Sequence, residues 1–229
     1  MAMMCFVASA GRRSAGALFG ALAIAAGAAH AAGQEAVQDA VQALWSQTLG
    51  GTGVGVNAQN YEPVYDDYDA LAADDFAVPA GEVWVVERVE VVGNHYDGVG
   101  PLSSMNVAFH RDDPQRPGKP GRLLRSLLEQ PARLVVYGTG SYDVTLTEPV
   151  RLPAGRYWLA LQGNADFVDA GQWAWETSHA QQGKPGVWKN PGDAFGTGCR
   201  AYRRQQRCIG DIGQGPDFMF VLHGRRRPP

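Results

Sequence analysis

The feature that most constrains the fold is an alternation of apolar and polar residues with a period of two. Met105, Val107 and Phe109 alternate with polar neighbours, a pattern typical of strands that bury one face. The chain also holds 29 glycines and 14 prolines, which indicates the many turns of a short-stranded β protein. These features predict an all-β, two-sheet sandwich. The same alternation recurs in residues 142–146, 157–161 and 218–222.

Other segments refine this prediction. The stretch from Val83 to Val92 changes phase near Glu87, which predicts a β-bulge there. Residues 78–85 (VPAGEVWV) are echoed by residues 152–159 (LPAGRYWL), and in each the Pro and Gly predict a turn that leads into a strand. Residues 122–129 (RLLRSLLE) fit a helix by spacing and a strand by context.

The N-terminus has the pattern of a cleavable signal peptide. Arg12 and Arg13 precede an apolar run of small residues, and Ala29-His30-Ala31 offers a cleavage site after Ala31. The run of about 14 residues is shorter than the ~20 that a transmembrane helix needs, although an uncleaved anchor is the alternative. The sequence therefore predicts export, to the periplasm or the exterior.

The net charge bears on partners. Cleavage would remove two arginines and no acidic residue, which lowers the formal net charge from −3 to −5. An acidic chain argues against binding to nucleic acid or to an anionic membrane, because both require a basic face. We expect a monomer with no membrane segment once the signal is cleaved.

The sequence predicts four regions. Residues 34–47 suit a short helix, because Val37, Val41, Leu44 and Trp45 share one helical face, and the glycines after residue 49 would end it. The predicted regions are a signal peptide (1–31), a short helix with a Gly-rich linker (32–60), a β-sandwich (61–224) and a basic tail (225–229).

The cysteines indicate a structural disulfide. Cys5 would leave with the signal peptide, and Cys199 and Cys208 would then remain as a pair in an oxidising compartment. They bound a ten-residue segment, CRAYRRQQRC, and its closure is worth roughly 2–3 kcal/mol on the chain-entropy model.

Several motifs together resemble an accessory domain of secreted bacterial proteins that is sometimes appended to subtilisin-like proteases. The resemblance covers roughly residues 61–224. It implies a jelly-roll-like or immunoglobulin-like sandwich and supplies no catalytic residues. The motifs are ADDF-x-VP-x-G at 73–81, G-x-GP at 98–101, N-V-x-F at 106–109, LPAG-x-YW at 152–158, GQW-x-W at 171–175, FGTGC at 195–199 and PDFMF at 216–220.

No catalytic or cofactor motif stands out. The chain has no G-x-S-x-G, no H-E-x-x-H and no phosphate-binding loop. The histidines are scattered singly, so a non-catalytic protein is predicted, and a cryptic hydrolase is the minor alternative.

An acidic cluster is a candidate calcium site. Carboxylate oxygens can bind Ca²⁺ when six to eight oxygen ligands converge. The alternative is a solvated acidic loop whose aspartates hydrogen-bond to turn amides. The cluster comprises Asp66, Asp67, Asp69, Asp74 and Asp75.

Two tryptophans form a candidate ligand site. Trp173 and Trp175 lie two apart and therefore share one strand face, where indole rings could stack on sugars while Gln172 and Asn190 bind hydroxyls. The alternative places both rings in the core, which we favour because a buried Trp is common in sandwiches. The sequence thus predicts a module that binds a carbohydrate or a surface protein, or else a purely structural domain.

Overall fold

The computed structural model describes residues 40–136, 139–210 and 214–229. The predicted signal peptide and residues 34–39 of the predicted helix lie outside these ranges. No helix among the described residues is long and apolar enough to cross a membrane. The strands are β1 (Gln42–Gln47), β2 (Gly51–Asn57), β3 (Gln59–Asn60), β4 (Leu71–Val91), β5 (Gly93–Tyr96), β6 (Ser104–Asp112), β7 (Pro120–Gln130), β8 (Ala132–Val136), β9 (Ser141–Asn164), β10 (Gln172–Ser178), β11 (Val187–Lys189), β12 (Arg203–Arg204), β13 (Asp217–Phe218) and β14 (Phe220–Arg227). The helices are a 3₁₀ turn (Pro63–Tyr68), α1 (Phe167–Ala170) and α2 (Gln205–Ile209).

The described strands form two sheets that pack as a sandwich, as the sequence predicts. The larger sheet has the order β1-β14-β4-β9-β6-β7, with β11 paired to β4 and β12, and with β3 and β8 paired to β9. In the smaller sheet β10 pairs with β2, β5 and β13. Every pairing is antiparallel except that between β3 and β9.

The alternating residues fill the space between the sheets. Met105, Val107 and Phe109 on β6 are fully buried. The other three alternating segments behave in the same way, so the prediction of their inward faces is confirmed. Their buried residues are Tyr142, Val144, Leu146, Tyr157, Leu159, Leu161, Phe218, Phe220 and Leu222.

The phase change near Glu87 is a real irregularity. The register between β4 and β9 shifts between Val86 and Arg88, which keeps both Val86 and Val89 buried. The bulge prediction is confirmed.

The echoed Pro-Ala-Gly segments differ from the prediction. They lie inside β4 and β9 rather than at turns before strands, and they face each other, since Val78 pairs with Gly155 and Val83 pairs with Pro153. Two irregular segments placed opposite each other let both long strands bend together at one point. Residues 122–129, for which the sequence left helix and strand open, belong to β7.

The predicted helix over residues 34–47 is wrong for its described part, because residues 42–47 form β1 against β14. The register shifts between Ala43 and Trp45. Leu44 and Gln47 are therefore both buried, and their spacing of three imitates the period of a helix.

The predicted Gly-rich linker is also a strand. β2 pairs with β10, with Gly55 opposite Glu176. A Cβ atom at Gly55 would lie 2.7 Å from the Cβ of Ala174, so glycine allows this close approach. The smaller sheet therefore includes residues that the sequence assigned outside the sandwich.

The predicted basic tail continues the last strand. Arg225, Arg226 and Arg227 belong to β14 and pair with β4. Arg225 forms an ion pair with Glu87, and Arg226 forms one with Glu82 at 3.7 Å. The positive charges of these two arginines are compatible with a strand here, because carboxylates on the neighbouring strand form ion pairs with them.

Candidate functional site

The predicted tryptophan site is not on the surface. Trp173 and Trp175 are both fully buried. The Nε1–H of Trp173 donates to the Gly140 carbonyl at 2.8 Å, and that of Trp175 donates to the Met219 carbonyl at 2.8 Å. The Trp175 ring stacks on Phe218 at 4.8 Å between centroids. The sugar platform predicted from these rings is therefore wrong, and the core alternative is correct.

The two polar residues predicted beside them separate. Asn190 is fully buried, and its Nδ2 donates to the backbone carbonyls of Asp67 and Asp69 at 2.7 and 2.9 Å. These bonds connect the segment after β11 to the 3₁₀ turn, so the Asn190 amide has a structural role. Gln172 is half-buried on the opposite face of β10 from Trp173, where it lines a cleft.

This cleft, called the aromatic cleft below, consists of two adjoining cavities of about 220 and 370 Å³ that share Gln172 and Phe195. Segments distant in sequence converge there: β2, β5, β10, the 3₁₀ turn, α1 and the loop between β11 and β12. The aromatic lining residues are Tyr61, Tyr65, Tyr68, Tyr96, Phe167, Trp188 and Phe195.

Five of these rings form a continuous chain. Successive rings from Phe167 through Tyr65, Tyr68 and Phe195 to Trp188 have centroids 5.2–6.2 Å apart and tilts of 61–85°. Such edge-to-face contacts are the arrangement that aromatic pairs favour. Tyr68 and Phe195 are 40% and 37% exposed, so the chain presents apolar surface to solvent.

A row of polar groups crosses the cleft beside the rings. The Nδ2 of Asn57 donates to the Tyr61 hydroxyl at 2.6 Å, and that hydroxyl donates to Gln172 Oε1 at 3.4 Å. The Nε2 of Gln172 donates to Asp97 Oδ2 at 3.0 Å. Burial raises the pKa of Tyr61 far above its ordinary value, so its phenol stays neutral. The Oδ1 of Asn57 receives no hydrogen bond from any described residue.

The predicted disulfide borders the cleft and is confirmed. Cys199 and Cys208 are bonded, with their Cα atoms 5.8 Å apart, and Cys208 lines the larger cavity together with Trp188. The bridge closes the segment that includes β12 and part of α2, beside the ring of Trp188.

The five aspartates of the predicted calcium site do not converge. Asp66 and Asp67 are exposed on the 3₁₀ turn, and Asp69 Oδ1 accepts from the Tyr61 amide at 2.8 Å. Asp74 and Asp75 are buried on β4. Among the residues that the structure describes, no group of three or more His, Cys, Asp or Glu is placed to hold a metal ion. The ligands separate because the chain passes from a helical turn into a strand between the two halves of the cluster.

Asp74 forms a buried polar cluster with Asp217 instead. Asp74 Oδ2 accepts from Gln47 Nε2 at 2.8 Å and from the Phe218 amide at 2.6 Å. Burial raises the pKa of Asp217 to about 7, with a smaller contribution from the neighbouring charge of Asp75 and against the lowering effect of the hydrogen bond from the Gln182 amide. Burial, together with Asp217, also raises the pKa of Asp74 well above its ordinary value. Asp217 Oδ1 has no hydrogen-bond partner among the described residues.

Apart from Gln172 and Cys208, the sequence did not single out the residues that form the cleft. Tyr65 and Tyr68 are three apart in PVYDDY, a spacing that places both on one side of a helical turn. Phe195 stands in a loop with several glycines, where a large apolar residue has no obvious core position. These were the available signals, although neither shows that the rings meet.

Comparisons with protein-family models, curated proteins and solved structures found no match to this chain. The resemblance to secreted accessory domains therefore stays a prediction.

Proposed function

We propose that this protein is an exported, non-catalytic β-sandwich module that binds a neutral carbohydrate in the aromatic cleft. The observation that carries the proposal is the chain of five rings beside the polar row of Asn57, Tyr61 and Gln172. Sugar rings present apolar C–H faces, which stack on aromatic side chains, and peripheral hydroxyls, which need hydrogen-bond donors and acceptors.

The polar row offers hydrogen-bonding groups beside the rings. Asn57 Oδ1, which receives no hydrogen bond from any described residue, is itself buried, so a bound hydroxyl would reach it only after a turn of the Asn57 side chain. The neutral phenol of Tyr61 fixes the neighbouring amides by hydrogen bonds on both sides. Such a polar row favours a polyol over a purely apolar ligand.

The lining chemistry favours binding over cleavage. Glycoside hydrolysis requires two carboxyl groups that flank the scissile bond. The residues that line the two cavities are aromatic, aliphatic, amide or hydroxyl residues together with a disulfide cysteine. The carboxylate at the end of the polar row, that of Asp97, accepts a hydrogen bond from Gln172 and lines neither cavity. An uncharged lining also supports a neutral ligand.

Affinity electrophoresis tests the proposal. The native protein would be run in gels that contain xylan, mixed-linkage β-glucan or galactomannan, and we expect retardation by at least one of them. The double variant Tyr68→Ala/Phe195→Ala should migrate as in a gel without polysaccharide. The matched control is Leu123→Ala/Leu128→Ala, which removes two exposed apolar side chains of β7 and should be retarded like the native protein.

Absence of retardation by all three polysaccharides, or equal retardation of both variants, would contradict the proposal. A protein ligand is the second candidate, because Val64 and Val168, which adjoin the lining residues Tyr65 and Phe167 in sequence, are apolar and 79% and 81% exposed. Failure in every polysaccharide gel would leave that candidate standing.

A further inference from the structure

A second cavity, called the basic pocket below, has the opposite chemistry to the aromatic cleft. It has a volume of about 590 Å³. One wall is part of the disulfide-closed segment, and the others come from the β6–β7 loop and from residues before β11. Its lining residues are Pro117, Gly118, Lys119, Lys184, Pro185, Ala201, Tyr202, Arg203, Arg204 and Arg207.

The positive charge of this pocket stands out against the acidic chain. The segment between the two cysteines holds four arginines and no acidic residue, whereas the whole chain has 20 basic and 23 acidic residues. Arg203, Arg204 and Arg207 are exposed and form no ion pair with any described residue. Lys184, which also lines the pocket, does form an ion pair, because its Nζ lies 3.0 Å from Asp112 Oδ2.

The fold holds these charges together. β12 places Arg203 and Arg204 on the edge of the larger sheet by pairing with Trp188 and Val187. The disulfide then closes the segment around them. Since like charges in one concavity repel one another, the arrangement costs stability that a bound anion would recover.

We propose that the basic pocket binds phosphate or sulfate groups of a soluble polyanion. Guanidinium groups match the geometry of these oxyanions and can bind them through two parallel hydrogen bonds. A concave pocket accepts discrete anionic groups better than it accepts a flat bilayer surface. The proposal does not depend on the carbohydrate proposal, because β11 presents Trp188 to the aromatic cleft, whereas Tyr202 and the three arginines line the basic pocket.

Elution from heparin-agarose, with isothermal titration of tripolyphosphate, tests this proposal on the native protein. We expect retention on heparin at 50 mM NaCl and measurable binding of tripolyphosphate. The variant Arg203→Gln/Arg204→Gln/Arg207→Gln should bind tripolyphosphate at least about tenfold more weakly, because it removes three charged hydrogen-bond donors from the pocket. Heparin retention without tripolyphosphate binding would assign the site to a polymer, and binding of both would show that a free oligophosphate suffices.

The control variant Arg125→Gln/Arg133→Gln/Arg151→Gln removes the same charge from exposed positions on β7, β8 and β9. It should keep native affinity, and thermal melting should show that both variants fold. Equal loss in the two variants would show that net charge alone attracts the anion, which would overturn the site. The proposal would also be overturned if the native protein bound neither heparin nor tripolyphosphate, or if it bound only to phosphatidylglycerol vesicles.

Discussion

Two groups of aromatic residues in this protein have similar composition and opposite surroundings. Trp173 and Trp175 on β10 are sealed between the sheets, with both indole N–H groups bonded to backbone carbonyls. Tyr68 and Phe195 of the aromatic cleft lie outside regular strands and remain more than a third exposed. One group fills the sandwich, and the other leaves apolar surface available to a ligand.

The difference shows how backbone placement decides the role of a ring. On a strand, alternation groups residues by face, and the face that meets the opposing sheet must be filled with large side chains. In a loop or turn, an aromatic ring packs against the other loops that lie close to it. Rings that bind ligands are therefore more easily built on loops that a rigid sheet supports.

The largest expected effect on stability comes from the two buried tryptophans of β10. Trp173→Ala should lower the free energy of unfolding by about 3–5 kcal/mol, because it opens a large cavity and leaves the Gly140 carbonyl without its donor. Urea denaturation measures the loss. Trp175→Phe should cost less, since it keeps most of the ring volume. A Trp173→Ala variant as stable as the native protein would contradict the assignment of Trp173 to the core, because both aromatic groups would then be peripheral.

The disulfide should affect the cleft side more than the core. The double variant Cys199→Ser/Cys208→Ser should lose roughly 2–3 kcal/mol of stability, since the open chain gains conformational freedom when unfolded. Cys208 lies beside Trp188, so hydrogen exchange should rise in residues 187–209 and stay low in β10. Equal acceleration in both regions would show that they unfold as one unit.

The sequence predicted that Trp173 and Trp175 share one strand face, but it did not predict the aromatic cleft. The shared face of Trp173 and Trp175 followed from their spacing, and their burial followed from the need of a sandwich for large core residues. The cleft could not be predicted, because Tyr65, Phe167 and Phe195 lie in connections whose approach depends on tertiary packing. The helix prediction failed because Leu44 and Trp45 suited a helical face by spacing, whereas residues 42–47 form β1 with a register shift between Ala43 and Trp45.

The stability of the fold should depend on pH through Asp217. This residue precedes Phe218, whose ring stacks on Trp175 in the core. The folded-state pKa of Asp217 is raised to about 7, so the folded state binds a proton that the unfolded chain releases near pH 4. Stability from this group is therefore full below about pH 4 and is lost as the pH rises towards 7.

Thermal melting between pH 4.5 and 7 would measure this effect. The proton on Asp217 contributes a slope of at most about 1.4 kcal/mol per pH unit, and Asp74, whose pKa is also raised, adds its own contribution. Asp217→Asn keeps the shape of the side chain and removes its titration, so its stability should vary less over the same range. Parallel curves for the variant and the native protein would mean that Asp217 does not hold the proton.

The smallest expected effect on stability is in the aromatic cleft. Tyr68→Ala removes a ring that is 40% exposed and that forms edge-to-face contacts with Tyr65 and Phe195. Because the ring is partly exposed and is held by edge-to-face contacts, we expect a loss of about 0.5–1.5 kcal/mol, the usual worth of such aromatic pairs. Urea denaturation beside Trp173→Ala gives the direct contrast. A loss above about 2 kcal/mol would be the cost of a core residue, and it would mean that the chain of rings holds the connections in place. A small loss would show that the fold does not need this exposed aromatic surface for its own stability, as expected if the surface serves the proposed ligand.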